Sequence, residues 1–216
     1  MEPAPKSTTQ IDNEDYSLPD LDQTTWQRLT AAPAEKENGF NTFVLATITT
    51  DSLAPDGLPD ARTVVLRQAD ERSKTLWFHT DVRAQKVTQL QDQPAALLLF
   101  WDQKKRVQLR CWVSTTIHTD DAVADEQWTK IGEGSRKMYL SEHEPGSLQP
   151  NAYPGFPVQL GANLPTRAES EAGRPNFAVV ACKVLTMEYL HLNRAGQTRA
   201  RFDYRGEDIS RNWLAP

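Results

Sequence analysis

Alternating apolar and polar positions recur along the chain and predict a protein built mainly from β-strands. In the clearest case, Val107, Leu109, Cys111 and Val113 are separated by single residues that are polar or aromatic, which is the period of a half-buried strand. Shorter runs rich in β-branched and apolar residues, bounded by turn residues, have the same meaning. We predict seven strands in all, at residues 43–49, 61–67, 75–80, 95–101, 107–118, 177–192 and 198–204.

Three segments have the spacing of amphipathic helices instead. The first covers residues 22–38, where apolar positions recur every third residue from Trp26 onward and Asp22 is the expected N-cap. The other two cover residues 82–91 and 120–131. Few helices beside many strands with short connections predict an antiparallel meander that closes into a barrel, because closure removes unpaired edges. The expected fold class is therefore mainly β with flanking helices (α+β).

Two segments lack either periodicity. Residues 1–22 are polar and acidic, which predicts a mobile N-terminal arm. Residues 141–175 contain six prolines and predict a long loop, which is unusual in a compact domain and often functional. An ordered insertion without a role remains an equal alternative. We expect residues 23–216 to form a single domain.

Composition excludes several classes of function. The chain of 216 residues carries 24 basic and 29 acidic side chains, a formal charge of −5, so a broad nucleic-acid surface is not expected. No apolar run is long enough for a membrane span, and the polar residues 1–22 lead us to expect no secretory leader. We expect no disulfide framework and no metal site, because the chain has only two cysteines, without CxxC spacing, and its four histidines are far apart in sequence. The low number of cysteines favours a reducing, cytoplasmic setting. Nucleophile elbow, GxGxxG and Walker signatures are absent.

The segment 62–86 offers the strongest candidate chemistry, a site for a phosphate. Thr80 or Asp81 can cap the helix expected from residue 82, whose free N–H groups suit an anion. Lys86 and Arg83 lie within its first turns and can lean toward that anion. The alternative is a solvated helix face with surface arginines.

Arg62 and Arg67 stand at the two ends of one predicted strand. Their positions differ by an odd number, so they lie on opposite faces of the sheet. Both can contact one ligand only if the strand is bulged or the ligand wraps its end.

Two further candidates lie in later strands. Gln108 can offer a donor and an acceptor to the edge of a heteroaromatic ring, or it faces solvent. Arg199 and Arg201 share one strand face, which indicates either an anion site or a salt-bridge ladder.

The order of several motifs resembles the pyridoxamine 5′-phosphate oxidase family, and more closely its FMN-binding subgroup whose substrates are mostly unassigned. The resemblance covers roughly residues 43–216. Its motifs are RTVVLR (62–67), FHTD (78–81), RAQK (83–86), QPAALLLFW (93–101), KRVQLR (105–110), RARFDY (199–204) and the terminal WLAP.

This resemblance implies an FMN-binding split β-barrel, a homodimer and one non-covalent FMN at the subunit interface. The strand 62–67 would line the flavin, Lys86 would bind its phosphate, and Gln108 would reach the ring edge. The cofactor contacts implied are Arg62, Thr63, Val64, Val65, Leu66, Arg67, His79, Thr80, Gln85, Lys86, Gln108, Leu190 and Arg201. Arg199 and Arg136 are the candidates for substrate contact.

Several positions depart from the family pattern. Gln85 replaces the arginine before the phosphate lysine, Arg67 replaces a lysine, and Leu190 replaces a tryptophan. The Arg-x-His substrate clamp falls on residues 197–199, where only an arginine remains. The tyrosine-containing substrate helix is not recognisable in residues 128–136.

The retained flavin pattern and the altered substrate pattern together lead to one expectation. We expect an FMN-dependent oxidoreductase that acts on a small molecule other than pyridoxamine phosphate, with no side chain named as catalytic. The alternatives are a non-catalytic flavin-binding module, a true pyridoxamine 5′-phosphate oxidase, or a barrel that holds haem or a deazaflavin.

Overall fold

The structure is a computed structural model that describes residues 8–11, 14–49 and 57–216. Within these residues all seven predicted strands are present, with shifted ends, and four short strands are added. The strands are β1 (Thr9–Ile11), β2 (Glu14–Tyr16), β3 (Thr42–Ile48), β4 (Pro59–Val65), β5 (Gln68–Asp70), β6 (Thr75–Asp81), β7 (Ala95–Asp102), β8 (Val107–His118), β9 (Phe177–His191), β10 (Thr198–Asp203) and β11 (Ser210–Leu214).

Nine of these strands form one antiparallel sheet in the order β11-β10-β9-β8-β7-β3-β4, with β6 paired to β9 and β5 paired to β6. A register shift beside Trp112 divides β9 into two halves. The first half pairs with both β8 and β6, and the second half pairs with both β8 and β10. The backbone N–H of Arg67 donates to the carbonyl of Trp77 at 2.8 Å and brings β4 toward β6. The sheet rolls up but does not close, so the closed barrel expected from the strand pattern is wrong.

The rolled sheet encloses the main core. The alternation predicted for β8 is confirmed, because Val107, Leu109, Cys111 and Val113 are all buried. Cys111 and Cys182 are both unpaired thiols in this interior. Side chains of the opposite parity point outward, and many of them are half-exposed.

The helices begin and end at other residues than predicted. They are α1 (Leu18–Ala31), α2 (Gln85–Asp92), α3 (Ala122–Lys130), α4 (Glu133–Arg136) and α5 (Arg167–Ser170). Ser17 caps α1 in a capping box with Asp20. Asp22, the expected cap, lies inside the helix and accepts from Tyr204 and Arg211. None of the helices among the described residues has the length and hydropathy that a membrane span needs.

The predicted arm and loop both contain ordered elements. The arm was predicted to span residues 1–22, but β1, β2 and the start of α1 fall within it. Residues 1–7 and 12–13 of the predicted arm lie outside the described residues. The segment 141–175 contains α5 and two short 3-10 helices, at Val158–Leu160 and Glu171–Asn176.

Candidate functional site

A group of cationic and polar side chains lies where β3, β4 and α2 meet. Arg62 pairs with Leu45 across β3 and β4, which places it on the inner face of the sheet at the end of the core. Its guanidinium donates to Thr47 Oγ1 at 2.5 Å and to Gln89 Oε1 at 2.9 Å, and it forms an ion pair with Asp60. Burial lowers the pKa of Arg62, and the carboxylate of Asp60 opposes this effect.

Lys86 belongs to the same group. Its Nζ donates to Thr80 Oγ1 at 3.2 Å. Burial, and next the positive charge of Arg62, lower the pKa of Lys86, while Asp81 and Asp60 oppose the shift. An ammonium has three N–H donors, and the hydrogen bond to Thr80 is the one that it makes among the described residues. The remaining N–H donors of Lys86, beside the half-buried guanidinium of Arg62, are suited to an anion.

The expected helix cap at this site is wrong. α2 begins at Gln85, with Ala84 at the cap position and without a side-chain cap. Asp81 instead accepts two hydrogen bonds from the guanidinium of Arg83, at 2.9 and 2.7 Å. Arg83 is therefore committed to a carboxylate, and Gln85 is exposed beside Lys86.

Opposite faces of β4 carry different parts of the predicted site. Val64 and Leu66 point into the core, so their side chains cannot line a ligand, although their backbone can. Thr63 and Val65 point outward with the opposite parity and are exposed. The predicted separation of Arg62 and Arg67 onto opposite faces agrees with this alternation.

Arg67 follows β4 and lines a cavity of about 600 Å³ between β4, β6 and α3. Its side chain is exposed and makes no hydrogen bond or ion pair with the rest of the described chain. His79 lies on the same cavity wall, with its ring 4.9 Å from that of Phe177. Its Nε2 is buried and has no hydrogen-bond partner among the described residues. Burial first, and Arg67 second, lower the pKa of His79 to about 4, so the ring is neutral at pH 7.

The outward face of β8, β9 and β10 carries the other predicted contacts. Gln108 is half-buried and lies opposite Leu190, which in turn lies opposite Arg199. The Gln108 amide makes no side-chain hydrogen bond among the described residues. It can therefore bond to an incoming group, as the sequence interpretation allowed.

Arg199 and Arg201 form a ladder with a carboxylate that sequence reasoning missed. Glu188 is 3% exposed and accepts from Arg199 at 2.8 Å and from Arg201 at 2.6 and 3.0 Å. Arg110 adds a weaker contact at 3.4 Å. Burial raises the pKa of Glu188, but the hydrogen bonds from the arginines outweigh it and hold the pKa below its usual value. Three arginines around one carboxylate leave a surplus of positive charge on this face.

Arg136 is not available to a substrate. It is fully buried, donates to the carbonyl of Trp128 and to Ser170, and pairs with Glu171. Its guanidinium also lies 4.2 Å from the ring centroid of Trp128. Arg136 connects α3 to the segment 141–175, and its assignment as a substrate contact is wrong.

The donor set fits a phosphorylated, heteroaromatic cofactor. Arg62 and Lys86 can hold a dianion. Within the part of the chain that the structure describes, the side chains of Arg67 and Gln108 and the Nε2 atom of His79 make no hydrogen bond and are open to a ligand. No cluster of three metal-ligating side chains exists among the described residues.

A family comparison matches the segment that holds part of this donor set to a known domain. Residues 23–119 match the family described as pyridoxamine 5′-phosphate oxidase, FMN-binding domain. The match covers a little under half of the chain, and this part is similar to the pyridoxamine 5′-phosphate oxidase-related family. The matched segment includes Arg62, Lys86 and Gln108, whereas Leu190, Arg199 and Arg201 lie beyond it. No curated protein matches the chain.

Two solved structures share the split-barrel fold of the family. One is a pyridoxamine 5′-phosphate oxidase-related, FMN binding protein from Nostoc punctiforme. It is 22% identical, covers 91% of this chain and 94% of its own, and has a TM-score of 0.66. The other is PhzG from Burkholderia lata, solved in complex with tetrahydrophenazine-1-carboxylic acid. It is 17% identical, covers 92% of both chains, and also has a TM-score of 0.66. The expectation of a split-barrel fold is confirmed.

Sequence reasoning missed the neutral and acidic neighbours of the predicted cations. Asp60 lies two residues before Arg62, on the same face of β4, and Gln89 lies three residues after Lys86 on α2. Strand and helix spacing could have found both. Thr47 is brought to Arg62 by the pairing of β3 with β4, which no local pattern shows.

Proposed function

We propose that the protein is an FMN-dependent oxidoreductase acting on a small molecule, with the flavin held between two copies of the chain. The observation that carries the proposal is the pair of half-buried cations, Arg62 and Lys86, within the segment that matches an FMN-binding domain. These two side chains would hold the phosphate, together with Thr80. Five residues of extended chain, about 17 Å, separate Arg62 from Arg67. An FMN that wraps the end of β4, as contact with both faces requires, would bring its ring toward Arg67 and the cavity beside it.

The strand order supports a shared site. Arg201 on β10 is five strands away from β4 in the sheet, about 24 Å along the sheet. By this route the separation is more than an isoalloxazine ring spans. The shorter route around the rolled sheet runs through β6 and β9, and there β6 and β10 pair with different halves of β9. A flavin that contacts both β4 and the Gln108–Arg201 region would need the second region from a partner copy.

The chemistry would come from the flavin, which transfers hydride or electrons at its own ring when bound. The residues of this chain would bind and orient it. Gln108 of a second copy would bond to the ring edge, and Arg67 would stand between the ring and the cavity of about 600 Å³. His79 would serve as a neutral hydrogen-bonding group, because its pKa lies well below 7. The cavity has room for a small-molecule substrate.

A flavin-binding module without turnover is the second candidate. Arg136 is buried, and Arg199 is bonded to Glu188, so neither side chain is free to clamp a substrate in this structure.

The two buried, unpaired cysteines agree with the cytoplasmic location expected from the sequence.

The visible absorbance of the purified protein, before and after addition of FMN and desalting, tests the proposal. A retained flavin spectrum supports it. Anaerobic bleaching by NAD(P)H or by pyridoxamine phosphate would then separate an enzyme from a module. A protein that does not retain FMN at micromolar concentration would refute the proposal.

A further inference from the structure

Gln89 lies between the charged side chains around Arg62 and Lys86, although it is not one of the residues predicted to contact a ligand. It is on the buried face of α2 and is 1% exposed. Its Oε1 accepts from Thr47 Oγ1 at 2.6 Å and from Arg62 at 2.9 Å. Its Nε2 donates to Asp60 Oδ2 at 3.1 Å. One amide therefore touches both members of the Arg62–Asp60 ion pair.

The amide is suited to this position because it both donates and accepts. A glutamate could accept from Arg62 but could not donate to Asp60, and two carboxylates would then face each other. An apolar residue would leave buried donors and acceptors without partners. The amide holds the guanidinium of Arg62 against Thr47 and keeps Asp60 turned toward α2.

The neutrality of the amide also determines the charge of the group. Arg62 and Lys86 contribute two positive charges and Asp60 one negative charge, a net charge of +1. Asp81 is matched by Arg83. A carboxylate at position 89 would reduce the net charge to zero in a partly buried region, where charges are screened less than at the open surface.

We propose that Gln89 is a positioning residue that gives the site its preference for a phosphorylated flavin over the same flavin without phosphate. The inference rests on the proposed function, in which Arg62 and Lys86 hold the phosphate of FMN. Gln89 would act through Arg62 by fixing its orientation and by leaving the positive charge of the group uncancelled.

The test compares the affinities of FMN and riboflavin for the full chain, followed by quenching of flavin fluorescence. The wild-type protein should prefer FMN. Gln89→Glu should weaken FMN binding by about tenfold or more. The new carboxylate would stand within several ångströms of the phosphate, and repulsion between two negative charges in a partly buried site costs at least the free energy of a tenfold change in affinity. Its affinity for riboflavin should change less than about twofold. The ratio of the two affinities distinguishes this role from a general loss of packing, which would weaken both ligands.

Two variants complete the design. Gln91→Glu adds the same charge on the exposed face of the same helix and should leave both affinities unchanged. Gln89→Met keeps the length and introduces no charge. It should weaken FMN binding by about fivefold, which corresponds to the loss of one net hydrogen bond. If Gln89→Glu does not fold, Gln89→Met takes its place in the test.

The outcomes separate the two proposals. Wild-type protein that binds FMN tightly, with an unchanged FMN-to-riboflavin ratio in the folded Gln89 variants, overturns the role of Gln89 alone. Wild-type protein that binds neither flavin overturns the proposed function, and the role of Gln89 with it.

Discussion

Replacing Glu188 by glutamine tests whether its arginine ladder stabilises the sheet. The substitution keeps the shape of the side chain but removes its charge, and it turns one acceptor oxygen into an NH₂ group that faces an arginine donor. Each hydrogen bond to a charged group contributes about 1.5–3 kcal/mol when its partner is buried. Here Arg199 and Arg201 have side chains that are 29% and 49% exposed, so they can turn toward water, which reduces the loss.

We therefore expect Glu188→Gln to lower the free energy of unfolding by about 2 kcal/mol, less than the sum of its bonds. For a chain of this size, that corresponds to a fall in Tm of about 4–8 °C. Urea denaturation followed by tryptophan fluorescence measures the change. Glu207→Gln, at an exposed position near the end of β10, is the matched control and should lie within about 0.5 kcal/mol of wild type.

The pH dependence provides a second readout. The pKa of Glu188 is lower in the folded chain than its ordinary value of 4.5, so ionised Glu188 stabilises the fold above that value. This contribution is lost as the pH falls from 4.5 through the folded pKa. The difference between wild type and Glu188→Gln should therefore be constant from pH 6 to 8 and shrink below pH 4.5. Equal stability of the two proteins at pH 7 would refute the reasoning.

The remaining predictions concern the flavin, the segment 141–175 and the second copy. Lys86→Met should weaken FMN binding by about 1.5–3 kcal/mol and leave riboflavin binding unchanged by calorimetry; equal loss for both flavins would contradict its contact with phosphate. Arg136→Met should lower the free energy of unfolding by about 3 kcal/mol in urea, yet leave the FMN affinity of the folded protein unchanged, since Arg136 bonds to Trp128, Ser170 and Glu171 and to no member of the cation group. Trp101 is 44% exposed on the outward face of β7, so Trp101→Glu should convert a dimer into a monomer by light scattering and release FMN with it. Met138→Glu, at an exposed position outside the sheet, is its control, and a Trp101→Glu dimer that retains FMN would exclude this face as the interface.

The strands could be predicted from the sequence because a period of two survives in single segments such as β8. The start of α1 could not. Asp22 has the chemistry of a cap, but Tyr204 and Arg211, far away in sequence, hold it inside the helix. Ser17 and Asp20 carried the local signal of a capping box that the sequence interpretation overlooked.

In the candidate site, too, some residues could be predicted from the sequence and others could not. The cations Arg62 and Lys86 were predicted from motif order, and the structure brings them together. Thr47 could not be predicted, because it reaches Arg62 only through strand pairing. Arg136 was a candidate for substrate contact in the sequence, and only its contacts with Trp128 and with the segment 141–175 show that it is buried.

The two buried thiols make it possible to measure how often the interior of the fold opens. Cys111 and Cys182 lie on β8 and β9, strands paired along most of their length, and burial raises the pKa of both thiols far above its usual value. A thiol reagent needs both access and a thiolate, and it obtains neither while these strands remain paired. The rate of alkylation in native buffer would therefore measure how often the centre of the molecule opens, separately from fluctuations of its surface loops. Ligands that bind only the folded chain would slow that rate in proportion to their affinity.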